Sequence, residues 1–355
     1  MFRRGFVAAL LLLAAAVGAE ERERALIPLP AIFYGPETGV GGGVALLYTW
    51  PGPEEEAPNQ AAGILFYTQK RQIISALTTE VALGEGETRL LIASRLRRYP
   101  DTYFGIGSDT PDSAEESYTP LEGELEAGFL RRVLPGFSLG PSYRFRYSAL
   151  QETEAGGELD SGLVPGSDRS LVSGLGLRLR YDIREGGFAP RRGFYAELSG
   201  GLYGRLLGSS EDFGRLKLDV RHYLPLAAEA GPVLALQGLF DSGWGEVPFQ
   251  ELPQLGGDMM MRGYLAGRYR DKVYAAVQGE LRVPLFWRLG GVLFAAAGQV
   301  APELGALDFS SPRTAAGAGL RVLVNRSQNL NLRLDMALSP EAEGPAVYVR
   351  AMEAF

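Results

Sequence analysis

The stretch LNLRLDMAL at residues 330–338 alternates strictly between two kinds of side chain. Leu or Met stands at every even position, while Asn, Arg and Asp stand at three of the odd ones. A period of two places successive side chains on opposite faces of a β-strand. Similar alternation occurs at residues 143–147, 175–182 and 215–221, with charged side chains on one face each time. The sequence therefore predicts an all-β fold whose strands have one apolar and one charged face.

The predicted strands are long. They cover about 10–14 residues, whereas strands of soluble proteins average about 5–6, and the greater length suits a tilted strand that crosses a bilayer. A soluble β-sandwich also alternates, but aromatic residues such as Tyr48, Trp50, Trp244 and Trp287 gather near strand ends, as in interfacial girdles. The sequence predicts a transmembrane antiparallel β-barrel of about 16 strands, an even number typical of bacterial barrels. The predicted spans are 25–34, 39–50, 61–69, 72–84, 87–99, 117–133, 137–152, 169–184, 193–204, 212–226, 231–244, 271–286, 290–301, 313–324, 329–338 and 345–355.

The lengths of the connections give the barrel an orientation. With both chain ends in the periplasm, the long connections all fall on the outer side, which is the asymmetry expected of such barrels. These long connections are 100–116, 153–168, 245–270 and 302–312. The sequence therefore predicts outward-facing long loops and short periplasmic turns.

The N-terminus has the pattern of a secretory signal peptide. Residues 1–4 form a basic n-region with Arg3 and Arg4, residues 6–17 are apolar, and residues 17–19 form a small-x-small cleavage site. We expect residues 1–19 to be the signal peptide and residues 20–355 to form the barrel in the bacterial outer membrane.

The composition argues against several classes of function. The chain has no Cys, so disulfides, thiolate metal sites and Cys nucleophiles are excluded. Its formal net charge is −7, and no basic patch dominates, so nucleic acid is not an expected partner. The sequence shows no metal-ligand cluster and no phosphate-binding glycine loop, so we expect neither a metal nor a cofactor.

The longest outer connection, the sixth, contains the sequence LGGDMMMRGY at residues 255–264. It resembles the barrel domain of the BamA/TamA-like assembly proteins, the bacterial surface antigen family. That family carries an Arg-Gly-aromatic motif in this loop, which folds back into the barrel lumen. Arg262, Gly263 and Tyr264 match the motif, and Gly257 matches a position just upstream. The resemblance implies that the loop lies inside the barrel here as well.

An Arg in a narrow lumen needs a partner to stabilise its charge. The guanidinium is partly desolvated there, so it needs a carboxylate or an aromatic face. The resemblance assigns these roles to Glu280 and Phe294. The family often has an Asp two residues after that Phe, where this chain has Ala296. We therefore expect one carboxylate partner to be missing and the loop to be held more loosely.

Further segments extend the resemblance over the chain after the signal peptide. They lie at residues 34–39, 181–193, 316–321 and 332–335. No POTRA domain fits between the predicted cleavage site and the first strand, so the resemblance is to a short member without POTRA domains. Any POTRA or periplasmic partner would be a separate chain.

The resemblance also implies a lateral seam. In that family the first and last strands pair weakly, and here these are residues 25–34 and 345–355. Pro28 and Pro30 lie in the first strand, and each removes a backbone donor. Phe355 ends the last strand and is expected to face lipid, like the terminal aromatic that outer-membrane insertion machinery reads.

The expected function is insertion or translocation of a membrane client, protein or lipid, through this seam, in contact with outer-membrane lipid. The alternative is a passive channel or structural barrel without assembly activity. Inside, Glu122, Glu124 and Glu126 face Arg144 and Arg146 on the next strand, which suggests salt bridges rather than a selectivity ring of one sign.

An enzyme is not expected. A barrel hydrolase would need a Ser nucleophile with a base such as His. The sole His, His222, shares the lipid-facing parity of its strand and lies near the periplasmic end.

Overall fold

A computed structural model describes residues 24–35, 39–52, 59–84, 86–227, 231–326, 329–342 and 344–355. The predicted signal peptide at residues 1–19 lies outside the described residues, as do residues 36–38 of the first hairpin. Among the residues described, no helix is both long and apolar enough to cross a membrane.

The described chain is built from strands. Sixteen are long, and β6, β13 and β14 are short additions within loops. The strands are β1 Ala25–Gly35, β2 Gly39–Trp50, β3 Asn59–Thr68, β4 Ile73–Leu83, β5 Thr88–Arg98, β6 Asp101–Tyr103, β7 Glu116–Leu134, β8 Phe137–Glu152, β9 Arg169–Asp182, β10 Gly193–Tyr203, β11 Phe213–Pro225, β12 Val233–Gly245, β13 Gln254–Leu255, β14 Tyr269–Arg270, β15 Val273–Pro284, β16 Leu289–Ala301, β17 Arg313–Asn325, β18 Leu330–Leu338 and β19 Ala346–Ala351. Single 3₁₀ turns cover Asp112–Ala114, Arg205–Leu207 and Leu304–Ala306.

The sixteen long strands pair antiparallel in chain order. Residues of β8, β11, β15 and β18 all contact one loop, so the sheet curves around that loop as a barrel wall. The prediction of an all-β antiparallel barrel of about 16 strands is confirmed. Within the described strands, no register joins β1 to β19.

The two faces of the wall differ as the alternation predicts. Leu175 and Leu177 of β9 point outward and are 57% and 59% exposed, while Arg178 and Arg180 point into the lumen. An apolar outer surface of this extent is unfavourable in water and favourable against lipid. The four connections predicted to be long all lie at one end of the barrel, the loop end, opposite the turn end.

The predicted internal salt bridges are present. Arg97 donates to Glu122 on β7 at 2.8 Å, and Glu122 also accepts a hydrogen bond from Arg146 on β8. Beside them, Arg144 donates to Glu124 at 2.8 Å. Charges of opposite sign thus face each other across neighbouring strands, and each partner offsets part of the other's desolvation.

The end of the chain corrects one prediction. We expected a last strand over 345–355 with Phe355 facing lipid at the seam, and this is wrong. β19 ends at Ala351, and Met352 has a positive φ of 67°, which turns the chain inward. Glu353 accepts a hydrogen bond from Arg321 Nε at 2.6 Å. Phe355 is 5% exposed, and its carbonyl accepts from Arg282 at 2.9 Å.

The cause is the charge on Glu353. In a continuous strand Glu353 would share the outward face with Val347, which is 40% exposed. A carboxylate is costly in lipid, whereas the lumen offers it a guanidinium. The tail therefore leaves the strand before Glu353.

We predict that the outward face tolerates charge poorly. Leu218 points outward from the middle of β11, so Leu218→Arg should lower the free energy of unfolding by about 2–4 kcal/mol if this level lies in the bilayer core. Urea unfolding in lipid vesicles, followed by tryptophan fluorescence, measures this change. Lys217→Arg, on the inner face one residue away, is the control and should have little effect. Equal effects of the two substitutions would contradict a lipid-facing β11.

Candidate functional site

The connection between β12 and β15, residues 246–272, folds into the barrel, and we call it the lumen loop. Its two arms pair through β13 and β14. At its tip, Gly263 has a φ of +111°, and a Cβ there would lie 3.1 Å from the backbone of Leu338. The Gly263 amide donates to the Tyr348 hydroxyl of β19 at 3.0 Å. The tip therefore needs glycine both for its conformation and for its close approach to the wall.

The remaining motif residues hold this tip. Gly257, with a φ of +119°, donates its amide to the Tyr264 carbonyl at 3.1 Å. The Tyr264 ring is buried, and its hydroxyl donates to the Thr314 carbonyl of β17 at 3.2 Å. The four residues singled out from the sequence, including Arg262, thus lie together at the barrel wall.

Arg262 is 1% exposed and lies between two carboxylates. Its Nη2 donates to Glu280 Oε1 at 2.6 Å, and its Nη1 donates to Asp335 Oδ2 at 2.7 Å. The guanidinium carbon lies 3.6 Å from the centre of the Phe294 ring. The structure therefore brings Glu280 and Phe294, the two partners expected from the resemblance, onto Arg262. Their role as a functional site stays a prediction.

Asp335 is the partner that sequence reasoning missed. The second carboxylate comes from β18 rather than from position 296 of β16, so Arg262 does not lack one. Asp335 also accepts from Arg321 at 2.5 Å and lies 3.5 Å from Arg333. The alternation at residues 330–338 placed Asp335 on the inner face, but nothing local could assign it to Arg262.

Two glycines make room for this arrangement. A Cβ at Gly317 would clash with the Phe294 ring, and a Cβ at Gly319 would clash with the Asp335 carboxylate. Both glycines lie in the segment 316–321 of the resemblance. Because glycine has no side chain, the Phe294 ring and the Asp335 carboxylate can lie directly against β17.

Glu251 anchors the other arm of the lumen loop with the opposite charge. It is 1% exposed and accepts from Arg144 at 2.6 Å, Arg146 at 2.8 Å and Arg215 at 3.3 Å. Burial acts to raise the pKa of the Glu251 carboxyl, but the three arginines outweigh it and lower the pKa to about 2. Sequence reasoning identified Arg144 and Arg146 only as partners of the β7 glutamates.

The lumen loop is therefore fixed at two places. Arg262 meets carboxylates of β15 and β18, and Glu251 meets arginines of β8 and β11. Reversed charges at the two anchors define the loop's direction across the barrel, because neither anchor fits the other's partners.

An apolar cluster covers the loop end beside Glu251. Phe249 and Leu252 of the lumen loop pack with Leu159 and Val164 of residues 153–168 and with Tyr103 of β6. Arg268 ties the lumen loop to the connection 99–115, donating to the Thr110 carbonyl at 2.8 Å and the Asp112 carboxylate at 2.7 Å. Three loops thus form one roof.

Other predicted residues lie elsewhere. Pro28 and Pro30 lie on β1 opposite Leu46 and Val44 of β2. His222 is exposed on the outward face of β11, where its ring meets the Phe194 ring edge-on, away from the lumen cluster. Phe355 lies inside the turn end and not at the seam.

The protein is thus an antiparallel β-barrel with its longest loop docked in the lumen. Residues 94–344 match the Omp85 superfamily domain. Because that match covers well over half of the chain, the protein belongs to the Omp85 superfamily.

Solved structures agree on the fold. BamA from Haemophilus ducreyi lacking POTRA domains 1–3 has a TM-score of 0.63 at 15% identity, covering 97% of this chain and 74% of that one. CdiB from Escherichia coli has a TM-score of 0.62 at 11% identity, covering 97% and 67%. CdiB from Acinetobacter baumannii has a TM-score of 0.56 at 11% identity, covering 97% and 64%. At such identities the likeness shows the fold alone. No curated protein matches the chain.

We predict that Asp335 replaces the carboxylate the family often has at position 296. Asp335→Asn should destabilise loop docking by about 3–5 kcal/mol, because a buried cation loses a charged partner. Adding Ala296→Asp should restore part of this loss. Limited proteolysis of the lumen loop in vesicles measures both effects. A double variant no better protected than Asp335→Asn alone would contradict the replacement.

We predict that the Glu251 anchor weakens in acid. A carboxyl with a lowered pKa in the folded state stabilises it above the ordinary pKa of about 4.3, and this contribution fades as pH falls toward 2. The full contribution is roughly 3 kcal/mol, from 1.36 kcal/mol per pKa unit. Amide hydrogen exchange of residues 247–255, corrected for intrinsic rates, should be slower in the wild type than in Glu251→Gln. This difference measures the contribution of the Glu251 carboxylate. That difference should shrink between pH 4.5 and 2, and a constant difference would contradict the assignment.

Proposed function

We propose that this protein is an outer-membrane barrel that assists insertion or translocation of a membrane client through the seam between β1 and β19. Membership of the Omp85 superfamily and the apolar outward face support this proposal. The observation that carries it is the mismatch of the two edges. β1 has 11 residues and β19 has six, and no register joins them within the described strands.

An unmatched edge has a physical consequence. A strand edge presents free backbone donors and acceptors, which template another strand, and such groups are costly when they face lipid. Pro28 and Pro30 lower the number of donors on β1 and weaken any pairing there. The seam is therefore the part of the wall where a client strand or lipid could be admitted at least cost.

The docked lumen loop supports a lateral route. It is fixed to two different parts of the wall by Arg262 and Glu251, and the roof covers the loop end. In the proposed arrangement the loop end faces outward from the cell. Passage through the part of the lumen that the loop fills would require both anchors to break, which argues against a passive channel along that path.

The proposal extends to the surroundings of the protein. Residues 1–19 act as a signal peptide for export, and outer-membrane lipid surrounds the barrel. The client is a protein or a lipid, and a separate periplasmic or POTRA-bearing protein delivers it. Nucleic acid is not a partner. The protein is not an enzyme, in keeping with the outward position of His222.

A disulfide lock tests the seam. Because the chain has no Cys of its own, cysteine pairs introduced between β1 and β19 report only on that seam. The control is Met336→Cys with Val347→Cys, which are directly opposite on β18 and β19 and lock an existing pair. Each variant complements a strain lacking the gene, and quantitative proteomics follows the outer-membrane proteins.

We expect the seam-locked protein to fail to restore a defined set of outer-membrane proteins, while the control and the wild type restore them. Arg262→Ala should also fail, because the loop loses its anchor. Full activity of the seam-locked protein would refute lateral gating. An unchanged outer-membrane proteome in the deletion strain would refute an assembly role.

A further inference from the structure

Over the middle of β2, β3 and β4 the inner face is apolar, unlike the charged inner faces of β7 and β8. The apolar side chains belong to the strand faces opposite the exposed Leu46, Leu65 and Leu77. The inward residues include Ala45, Leu47, Ala62, Ile64, Ile74 and Ala76. Both faces are thus apolar in the middle of these strands, whereas the interior of a barrel is ordinarily polar.

The boundary of this apolar wall is sharp. Along one cross-strand row, Ala45 lies opposite Ile64, and Ile64 lies opposite Ala76. The next residue in the row is Arg95 of β5, which lies opposite Glu124. Along this row the inner face therefore changes from apolar to charged between β4 and β5.

The side chains of the apolar wall are only partly buried, and Thr78 on the same inner face of β4 is exposed. The lumen-loop anchors lie on β8, β11, β15 and β18, on the charged part of the wall. Leaving an apolar surface in water costs about 25 cal/mol per Å². The wall therefore favours an apolar occupant.

A charged cavity adjoins the apolar wall toward the turn end. It has a volume of about 210 Å³, and its lining includes Glu80, Glu126, Arg178 and Arg180. These side chains are 19–34% exposed, so their charges are accessible. Arg180 donates to Glu197 through Nε at 2.8 Å, and Arg178 lies 3.6 Å from the same carboxylate. Glu80 accepts a hydrogen bond from Arg89 at 3.1 Å and Glu126 accepts one from Arg178, so the guanidinium and carboxylate groups of the cavity are paired but still partly exposed.

We propose that the lumen binds a phospholipid with a zwitterionic headgroup, its headgroup in this cavity and an acyl chain along the apolar wall toward the seam. The phosphate matches Arg178 and Arg180, and an ammonium group matches Glu80 and Glu126. Strands lie about 4.8 Å apart, so the path from β4 to β1 is roughly 15 Å. One leaflet of a bilayer has a similar hydrocarbon thickness, about half of 30 Å.

A lipid fits these features better than a protein segment does. A client strand would need backbone partners, which the β1 edge offers and the inner wall of paired strands does not. The wall offers only apolar contact, and the charges are confined to one end of it. A ligand with one charged end and one apolar chain satisfies both. The lipid site is independent of the proposed role of the protein in client insertion or translocation.

Photocrosslinking tests the apolar wall. The full chain is placed in vesicles of phosphatidylethanolamine and phosphatidylglycerol that contain phosphatidylethanolamine with a diazirine on its acyl chain. Fragment mass spectrometry then assigns the labelled residues. We expect label on Leu47, Ile64 and Ala76 as well as on the outward Leu46, Leu65 and Leu77. Label confined to the outward residues would overturn the proposal.

Two variants sharpen this test. Ala76→Gln puts a polar group on the apolar wall and should lower inward labelling at least five-fold. Lys217→Gln, on the inner face of β11 and outside the lining of the cavity, is the control and should leave it unchanged. Equal labelling in both variants would overturn the role of the wall. A native mass spectrum with a peptide in place of a bound lipid would also overturn the proposal.

The headgroup is tested separately. Diacylglycerol carrying the same diazirine lacks phosphate and ammonium, and it should label the inner face several-fold less than phosphatidylethanolamine. Arg180→Gln should reduce phosphatidylethanolamine labelling to the diacylglycerol level. If diacylglycerol labels the inner face equally well, or if Arg180→Gln changes nothing, the headgroup site is refuted.

Discussion

The ion cluster around Arg262 is the interaction on which the rest of the lumen depends. A guanidinium that is 1% exposed is stable only because Glu280, Asp335 and the Phe294 ring surround it. Those partners lie on β15, β18 and β16, so the cluster draws three strands and the lumen loop into one unit. The glycines at 317 and 319 follow from it, because any side chain there would displace a partner of Arg262.

With the second anchor, the lumen loop is fixed to the wall at two places. Glu251 and Arg262 have opposite charges and meet opposite partners on different parts of the wall. The charged part of the wall holds the lumen loop, and the apolar wall of β2 to β4 lies apart from the two anchors. The arrangement of charges in the loop thus determines which strands of the wall it contacts.

Local patterns predicted the strands well, because alternation is a property of each strand alone. The spans of β2 and β18 matched closely, and the position of the lumen loop followed from the order of the strands. Asp335 and Glu251 could not be assigned as anchors, because which inward charges meet depends on how the sheet curves. The fold-back of Phe355 was missed because its parity was extrapolated past Glu353, although a carboxylate on the lipid-facing side was the available warning.

Strand pairing in chain order has a consequence for the sequence of events in folding. Each long strand pairs with the one before it, so the wall can grow hairpin by hairpin with little loop-closure entropy at each step. Arg262 is an exception, because its second carboxylate lies 73 residues later in the chain. The lumen loop therefore cannot reach its final, fully paired position until β18 has joined the wall. The ion cluster thus couples complete docking of the loop to the near-completion of the barrel.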